Sequence, residues 1–163
     1  MIPGMLALLL PLLTAAAVPA FQEPPPPPVE EATDITPAEA AAAIAEALKG
    51  KDSALAEGVI RKHGQIADAV VVKEVGAGLK HAETPVRLAA VEALRFNGNA
   101  EALELLLKQK SNKKLLDDPI TAEAFAYALG QKRDKRAIPL LKDGLTATGN
   151  THNKVMSAKL YAL

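Results

Sequence analysis

The stretch that decides the fold runs from Thr84 to Leu107. It begins Thr84-Pro85-Val86-Arg87-Leu88-Ala89-Ala90-Val91-Glu92-Ala93-Leu94, turns at Asn97-Gly98-Asn99, and continues Ala102-Leu103-Glu104-Leu105-Leu106-Leu107. Thr84 is suited to cap a helix, and Pro85 suits a first turn, where its missing N–H costs nothing. Asn97 and Gly98 tolerate the left-handed conformation that ends many helices, and Asn99 can cap the next helix. The stretch therefore predicts a helical hairpin.

The first helix of this hairpin carries one narrow apolar stripe. Its members recur with the period of 3.6 residues that one helix face requires: Val86, Ala89, Ala90, Ala93, Leu94 and, one step on, Asn97. A buried leucine contributes roughly 1.5–3 kcal/mol and an alanine much less, so such a hairpin buries too little to fold alone. It needs neighbouring hairpins.

The chain supplies those neighbours through self-similarity. Glu92-Ala93-Leu94 aligns with Tyr127-Ala128-Leu129 about 35 residues later, and with Tyr161-Ala162-Leu163 about 34 residues after that. The other helix of each unit keeps the same spacing, since Ala102-Leu103 aligns with Ala137-Ile138. A repeat of this length with two helices per unit predicts an all-α solenoid of about four helical hairpins.

Residues 84–94 resemble the second helix of the short bacterial HEAT-like repeat, also called the phycobilisome-lyase HEAT-like repeat. The later repeat departs from this pattern, because Ile120-Thr121 replaces the Val-Arg pair. The resemblance implies an armadillo-type, right-handed α-α superhelix whose second helices line the concave side. The tetratricopeptide repeat has a similar period, but its Trp-x-x-Leu-Gly opening is absent from this sequence.

The N-terminus has the pattern of an export signal. Residues 1–20 contain an apolar run from Leu6 to Val18 that is short for a membrane span, and Val18-Pro19-Ala20 places small residues where a signal peptidase reads them. We expect cleavage after Ala20, no membrane span afterwards, and a secreted, periplasmic or cell-envelope protein. The first five residues lack Lys and Arg, so retention as an uncleaved anchor is the alternative.

Two further regions follow the signal. Residues 21–35 include five consecutive prolines, Pro24 to Pro28, and predict an extended, disordered linker without packed structure. Residues 36–163 are expected to form the repeat domain. It opens at Thr36 and Glu39, which have the spacing of a reciprocal capping box. Residues 65–80 are predicted to be helical although their three consecutive valines favour a strand and two glycines weaken a helix.

The C-terminal half is expected to continue the pattern. Residues 108–114 are interpreted as a basic linker, Asp118 as the cap of a helix that Gly130 ends, and Asp134 as the cap of the next helix. A last helix lies within residues 151–163. The expected core residues of this half are Ala122, Phe125, Ala126, Leu129, Ile138, Leu141 and Leu145.

No residue pattern predicts catalysis, a cofactor or a metal. Nineteen basic residues balance nineteen acidic ones, which gives no field to recruit nucleic acid, and the chain has no cysteine. The three histidines fall in different repeats without metal-ligand spacing. Asp118 of the Asp117-Asp118 pair is explained by helix capping, and Gly76-Ala77-Gly78 lacks the rest of a dinucleotide fingerprint. We therefore expect a protein that is not an enzyme.

The repeat alignment does single out one surface. Glu92, Tyr127 and Tyr161 occupy one equivalent position, about 200° around the helix from the core leucine. The two tyrosines are the only ones in the chain. Aromatic side chains on a polar face are enriched in protein-binding surfaces. The predicted protein-binding face comprises Leu88, Glu92, Arg95, Glu123, Tyr127 and Tyr161. The alternative is that the tyrosine rings only pack between repeats, with their hydroxyls in water.

The sequence thus predicts a non-enzymatic binding module or scaffold for another protein. Two alternatives remain open. One is an accessory or enzyme of the lyase type found among proteins with similar repeats, and the other is a structural subunit that self-associates through its C-terminal helix, which ends without a polar cap at Leu160 to Leu163.

Overall fold

The computed structural model describes residues 35–143 and 153–163. The predicted signal peptide, residues 21–34 of the predicted linker, and Leu145 lie outside these ranges. Within them the chain forms nine α-helices, two short 3-10 helices and no strand, which confirms the all-α prediction. The α-helices are α1 (Pro37–Lys49), α2 (Ser53–His63), α3 (Ala69–Gly78), α4 (Thr84–Phe96), α5 (Ala100–Leu107), α6 (Lys113–Leu116), α7 (Pro119–Lys132), α8 (Ile138–Lys142) and α9 (Asn153–Ala162).

The helices pack in pairs, and each pair contacts the next. Helix α1 packs on α2, α3 on α4, α6 on α7, and α8 on α9. The second helices α2, α4, α7 and α9 lie side by side in chain order, while α1, α3 and α5 form the other layer. Packing of each unit against its neighbours is what a repeat of hairpins requires.

Hydrogen bonds between pairs reproduce the repeat length. The amide of Asn97 donates to the carbonyl oxygen of Gly64, 33 residues earlier, and Lys132 Nζ donates to the carbonyl oxygen of Asn97, 35 residues earlier. In the other layer, Asn112 Nδ2 donates to the Leu79 carbonyl oxygen at a separation of 33 residues. The period seen in the sequence is therefore also the spacing of the contacts between repeats.

The hydrophobic core runs through both layers and is rich in alanine and valine, with leucines and isoleucines among them. Leu94 and Leu129 are both buried, as the repeat alignment predicts, and Phe125 is the one aromatic ring in the described core. Ala122 and Ala126 are buried beside Phe125. Because alanine and valine are small, the helices approach one another closely. Close contact between helices then compensates for the apolar surface that larger side chains would bury.

The N-terminal helices begin where their caps predict. Thr36 and Glu39 form the capping box, and the side chain of Asp52 accepts hydrogen bonds from the first turn of α2. Helix α3 is also present, beginning after Asp68, whose side chain accepts from the amide of Val70. The strand preference of its valines is overridden in the folded chain, because a helix buries Val71, Val72 and Val75 in the core.

Thr84 is not the cap of α4, contrary to prediction. It is the first residue of the helix and follows Glu83, whose side chain makes no capping bond. The Thr84 hydroxyl instead donates to Asp118 Oδ2 at 2.6 Å and accepts from Arg87 Nη2 at 2.8 Å. The side chain is recruited by the next repeat rather than by its own helix end.

Three predicted turns are different in the structure. Residues 108–114 are not an extended linker, since a 3-10 helix (Lys108–Ser111) and the start of α6 fill them. Helix α7 continues past Gly130 to Lys132, and Arg133 takes the left-handed conformation with φ of 52°. At the α4–α5 turn the left-handed conformation is not used, because Asn97 is extended with φ of −67°. The side chain of Asn97 ends α4 by bonding the preceding repeat.

Two apolar positions are more exposed than expected: Ile138, a predicted core residue, and Leu163, which the repeat alignment pairs with Leu94 and Leu129. Leu163 is 51% exposed because α9 ends at Ala162 and no described helix covers the residue beyond it. Ile138 lies at the start of α8 and is 36% exposed, while Leu141 of the same helix is buried. Among the α9 side chains whose burial is described, Ala158 is buried.

Candidate binding cleft

The predicted face is built on the second helices. On α4, Leu88, Glu92 and Arg95 follow at steps of four and three residues and so share one side of the helix. On α7, Glu123 and Tyr127 are four residues apart. Helices α4, α7 and α9 lie side by side, and side-chain contacts join Arg95, Tyr127 and Tyr161 across them.

Arg95, Tyr127 and Tyr161 form the centre of this surface. The Tyr127 and Tyr161 rings meet edge to face, with centroids 6.0 Å apart and planes inclined by 69°. The guanidinium carbon of Arg95 lies 5.9 Å from the centroid of the Tyr127 ring and 4.9 Å from that of Phe96. Edge-to-face rings and a cation over a ring face are both favourable, so the three residues hold one another in place.

The tyrosines differ in exposure. Tyr127 is half-buried and packs against the hydrophobic core, as the packing alternative expects. Tyr161 is 84% exposed, far more than a ring that serves only to fill space between repeats. One ring therefore fixes the position of the other at the surface.

A cleft of about 420 Å³ opens beside the tyrosines. It is lined by Arg95, Tyr127, Gly130, Gln131, Arg133 and Tyr161. Arg95 Nε donates to Gln131 Oε1, which fixes the guanidinium along one wall. Within the described part of the chain the lining contains two arginines and no carboxylate, so the cleft favours a negatively charged group.

The other predicted residues do not line this cleft. Glu92 pairs with Arg61 of α2, and that contact joins two repeats. Leu88 and Glu123 are half-buried on the same helix sides but are not part of its lining. Of the six residues of the predicted face, Arg95, Tyr127 and Tyr161 line the cleft.

Three lining residues were missed by sequence reasoning. Gly130, Gln131 and Arg133 lie at the end of α7, where the sequence was expected to leave the helix. The signal that could have found them is the run of polar and basic residues that follows Gly130 in the sequence.

A buried polar cluster was also missed. Arg87, only 5% exposed, donates from Nη2 to Asp118 Oδ2 at 2.7 Å. Asp118 caps α7 through the amide of Ile120 as predicted, but capping is not its whole role, since it also binds Thr84 and Arg87 of the preceding repeat. Burial by itself would raise the pKa of the Asp118 carboxyl, but the hydrogen bonds from Thr84, Ile120 and Arg87 outweigh it and lower that pKa.

Two histidines and a lysine that sequence patterns single out also make contacts within the fold. His81 Nδ1 accepts from the amide of Glu83, and His63 ends α2, where burial first and the charge of Lys62 second lower the pKa of the imidazole. Lys132 lies in the basic run after Gly130. Its Nζ donates to the Asn97 carbonyl oxygen, and burial lowers the pKa of its ammonium group. Residues 35–143 and 153–163 contain no group of three His, Asp or Glu side chains placed to hold a metal.

None of the helices in the described ranges combines the length and hydropathy of a membrane span.

Comparison with known proteins gives one family match. The family model described as PBS lyase HEAT-like repeat matches residues 122–146, a segment that begins in α7 and includes α8. No curated protein and no solved structure matches the chain with significance. The matched segment, the paired helices and the contacts at the repeat spacing support a HEAT-like repeat protein, and such repeats suggest an interaction or scaffold module.

Proposed function

We propose that the chain is a non-enzymatic protein-binding module or scaffold that acts outside the cytoplasm. In this proposal the hairpins form a right-handed superhelix, and the second helices present the face of Leu88, Glu92, Arg95, Glu123, Tyr127 and Tyr161 on the concave side. Residues 1–20 direct export and are removed after Ala20. The partner is another protein.

The observation that carries this proposal is the Arg95, Tyr127 and Tyr161 cluster. Tyrosine and arginine supply most of the binding energy in many protein interfaces, because each offers a large contact area with a polar tip. Here they are held by mutual contacts before any partner arrives, which lowers the entropy lost on binding. An acidic or carboxylate-bearing side chain of the partner fits the cleft between Arg95 and Arg133.

The test is affinity capture from the native cell envelope or medium with three forms of the chain. The wild type is compared with a Tyr127→Ala, Tyr161→Ala double variant and with a matched control, Leu55→Ala, Val70→Ala. The two control residues are 56% and 47% exposed and lie on α2 and α3, away from the cleft. Proteins retained by the wild type and the control but lost by the double variant support the proposal.

Tyr127 is half-buried, so its loss also affects packing. Arg133→Asn provides a second variant, because Arg133 is exposed, lines the cleft, and has a left-handed backbone that asparagine tolerates. If the partners bind all four forms equally, this face is not the binding surface.

Export is tested separately. Mass spectrometry of the protein recovered from its native cells should find an N-terminus at Phe21. A mature chain that still begins at Met1 contradicts cleavage and supports an uncleaved anchor.

A structural role is a second candidate, and one observation favours it. Leu160, Tyr161 and Leu163 at the end of α9 are 62%, 84% and 51% exposed. In a stack of repeats, an apolar outer face is normally covered by the next unit. Light scattering over a range of concentrations decides this point, since a chain that stays monomeric at every concentration does not stack on itself.

A further inference from the structure

A second groove lies in the other layer of helices. It has a volume of about 910 Å³ and lies between α3 and the segment that joins α5 to α6. Its floor is apolar and is made by Gly76, Ala77 and Leu105. Its walls carry the lysines Lys73, Lys80, Lys108, Lys113 and Lys114. Among the residues that the structure describes, no carboxylate lines the groove.

The floor exists because α3 and α5 approach closely at a glycine. A Cβ atom added to Gly76 would lie 2.7 Å from Leu105 Cδ1. The glycine therefore lets Leu105 lie against the α3 backbone. With Ala77 exposed beside it, a small apolar surface stays open to solvent between the lysines.

The side of the groove formed by the segment after α5 is fixed by the amide side chains of Asn112, which is half-buried, and Gln109, which is buried. Asn112 Nδ2 donates to the Leu79 carbonyl oxygen at 2.9 Å and to Gln109 Oε1 at 3.0 Å. Gln109 Nε2 in turn donates to the Leu105 carbonyl oxygen, and Gln109 is only 6% exposed. These bonds tie the lysine-bearing segment to the ends of α3 and α5, so the groove is formed before a ligand arrives.

The lysines have no acidic partners in the described ranges. All five are exposed, and the salt bridges found there involve arginines instead. Glu101 and Glu104 line a neighbouring hollow that shares Lys73 and Lys108, but Glu104 is already paired with Arg136. Five cations around one groove repel one another, and an anionic ligand relieves that repulsion.

We propose that this groove binds an acidic peptide segment of a partner protein, with carboxylates on the lysines and an aliphatic side chain on the floor of Gly76, Ala77 and Leu105. Lys73 lies on α3 and Lys80 lies two residues past its end, and both line the groove, so each can bind a carboxylate of the same peptide. This surface is separate from the tyrosine face and does not depend on it.

Charge and shape favour a peptide over a nucleic acid. Single-stranded nucleic acids are held by stacking on aromatic rings, and no aromatic side chain lines the groove. The apolar floor offers a contact to an aliphatic side chain that a phosphate backbone does not use.

The experiment measures, by fluorescence anisotropy, the affinity of the full chain for a fluorescein-labelled peptide that repeats Glu-Glu-Leu. A peptide with Gln in place of Glu is the matched probe. The groove variant is Lys73→Gln, Lys80→Gln, Lys113→Gln. The control variant, Lys49→Gln, Lys51→Gln, Lys62→Gln, removes the same charge from exposed lysines on and between α1 and α2.

We expect the acidic peptide to bind the wild type about tenfold more tightly than the Gln peptide, and the groove variant to lose about tenfold in affinity. The control variant should stay within about twofold of the wild type, and added salt should weaken binding. Ala77→Glu places a carboxylate on the groove floor at an exposed helical position, and it should abolish binding without a change in the thermal melt.

Two outcomes overturn the proposal. Equal losses in the groove and control variants would show that only net charge is sensed. Tighter binding of a single-stranded RNA or of anionic lipid vesicles, sensitive to the same groove lysines, would assign the site to another class of ligand.

The Tyr127→Ala, Tyr161→Ala variant removes the tyrosine face and should leave the affinity for the peptide unchanged. The two proposals can therefore fail independently.

Discussion

Arg87 of α4 and Asp118, the cap of α7, form a shielded ion pair between successive repeats. Arg87 Nη2 lies 2.7 Å from Asp118 Oδ2, and the two side chains are 6% and 18% exposed. Arg87 also donates to the carbonyl oxygens of His81 and Ala82, and its Nε is buried without a partner in the described residues. One carboxylate thus caps its own helix and neutralises a guanidinium that the preceding repeat has buried.

Asp118→Asn should destabilise the chain by about 3 kcal/mol, because it leaves the Arg87 charge buried and unpaired. Urea unfolding at neutral pH, followed by circular dichroism, gives the free energy of unfolding. Asp117→Asn is the control, since Asp117 is the adjacent carboxylate and is exposed, and its effect should stay within about 0.5 kcal/mol.

The same pair predicts a pH dependence. The folded state lowers the pKa of Asp118 below its ordinary value of 3.8, so the stabilisation is fully present above that value and is lost as the pH falls through the folded pKa. The difference in unfolding free energy between wild type and Asp118→Asn should therefore be constant near neutral pH and shrink below about pH 4. A difference that persists unchanged at about pH 2 would contradict this assignment.

Leu94→Ala should cost roughly 2–5 kcal/mol, because Leu94 is completely buried between the two layers. Leu55→Ala removes the same atoms from a side chain that is 56% exposed and should change little. Thermal melts of the two variants check this prediction. If they melt at the same temperature, Leu94 is not part of a continuous core.

Asn97→Ala tests the bonds between repeats. The amide of Asn97 donates to the carbonyl oxygens of Gly64 and Ile66, and its oxygen accepts from the amide of Asn99. Because the residue is 1% exposed, truncation leaves buried polar groups unpaired and should cost about 2 kcal/mol. Hydrogen exchange should show faster exchange of the Asn99 amide. Gln65→Ala, at an exposed position of the α2–α3 turn, is the comparison and should be neutral.

Two glycine substitutions should act in opposite directions. Gly58 lies within α2 with no atom near an added Cβ, so Gly58→Ala should stabilise by about 0.5–1 kcal/mol. At Gly64 an added Cβ would lie 2.5 Å from the Ile60 carbonyl oxygen and 2.8 Å from Ala93 Cβ. Gly64→Ala should therefore destabilise by about 1–3 kcal/mol. Urea unfolding gives the change in unfolding free energy for both variants. If both changes have the same sign, helix propensity alone controls these two positions.

The sequence was enough to predict the helices and their period, because both depend on local chemistry. Thr36, Asp52 and Asn99 cap their helices wherever the rest of the chain lies, and the spacing of Leu94 and Leu129 reveals the repeat. The tyrosine face was predictable in part for the same reason. The equivalent positions of Tyr127 and Tyr161 follow from the repeat, and the structure brings these two rings together.

Only the tertiary structure decided which polar groups serve the neighbouring repeat. Thr84 and Asn97 have the residue types of a helix cap and a left-handed turn, yet their side chains bond residues about one repeat away. Burial makes an unpaired polar group costly, so these side chains bond a neighbouring repeat in addition to Arg87 and Asn99 close by in sequence. The lysine groove has the same origin, since α3 and the segment after α5 meet only in the folded chain.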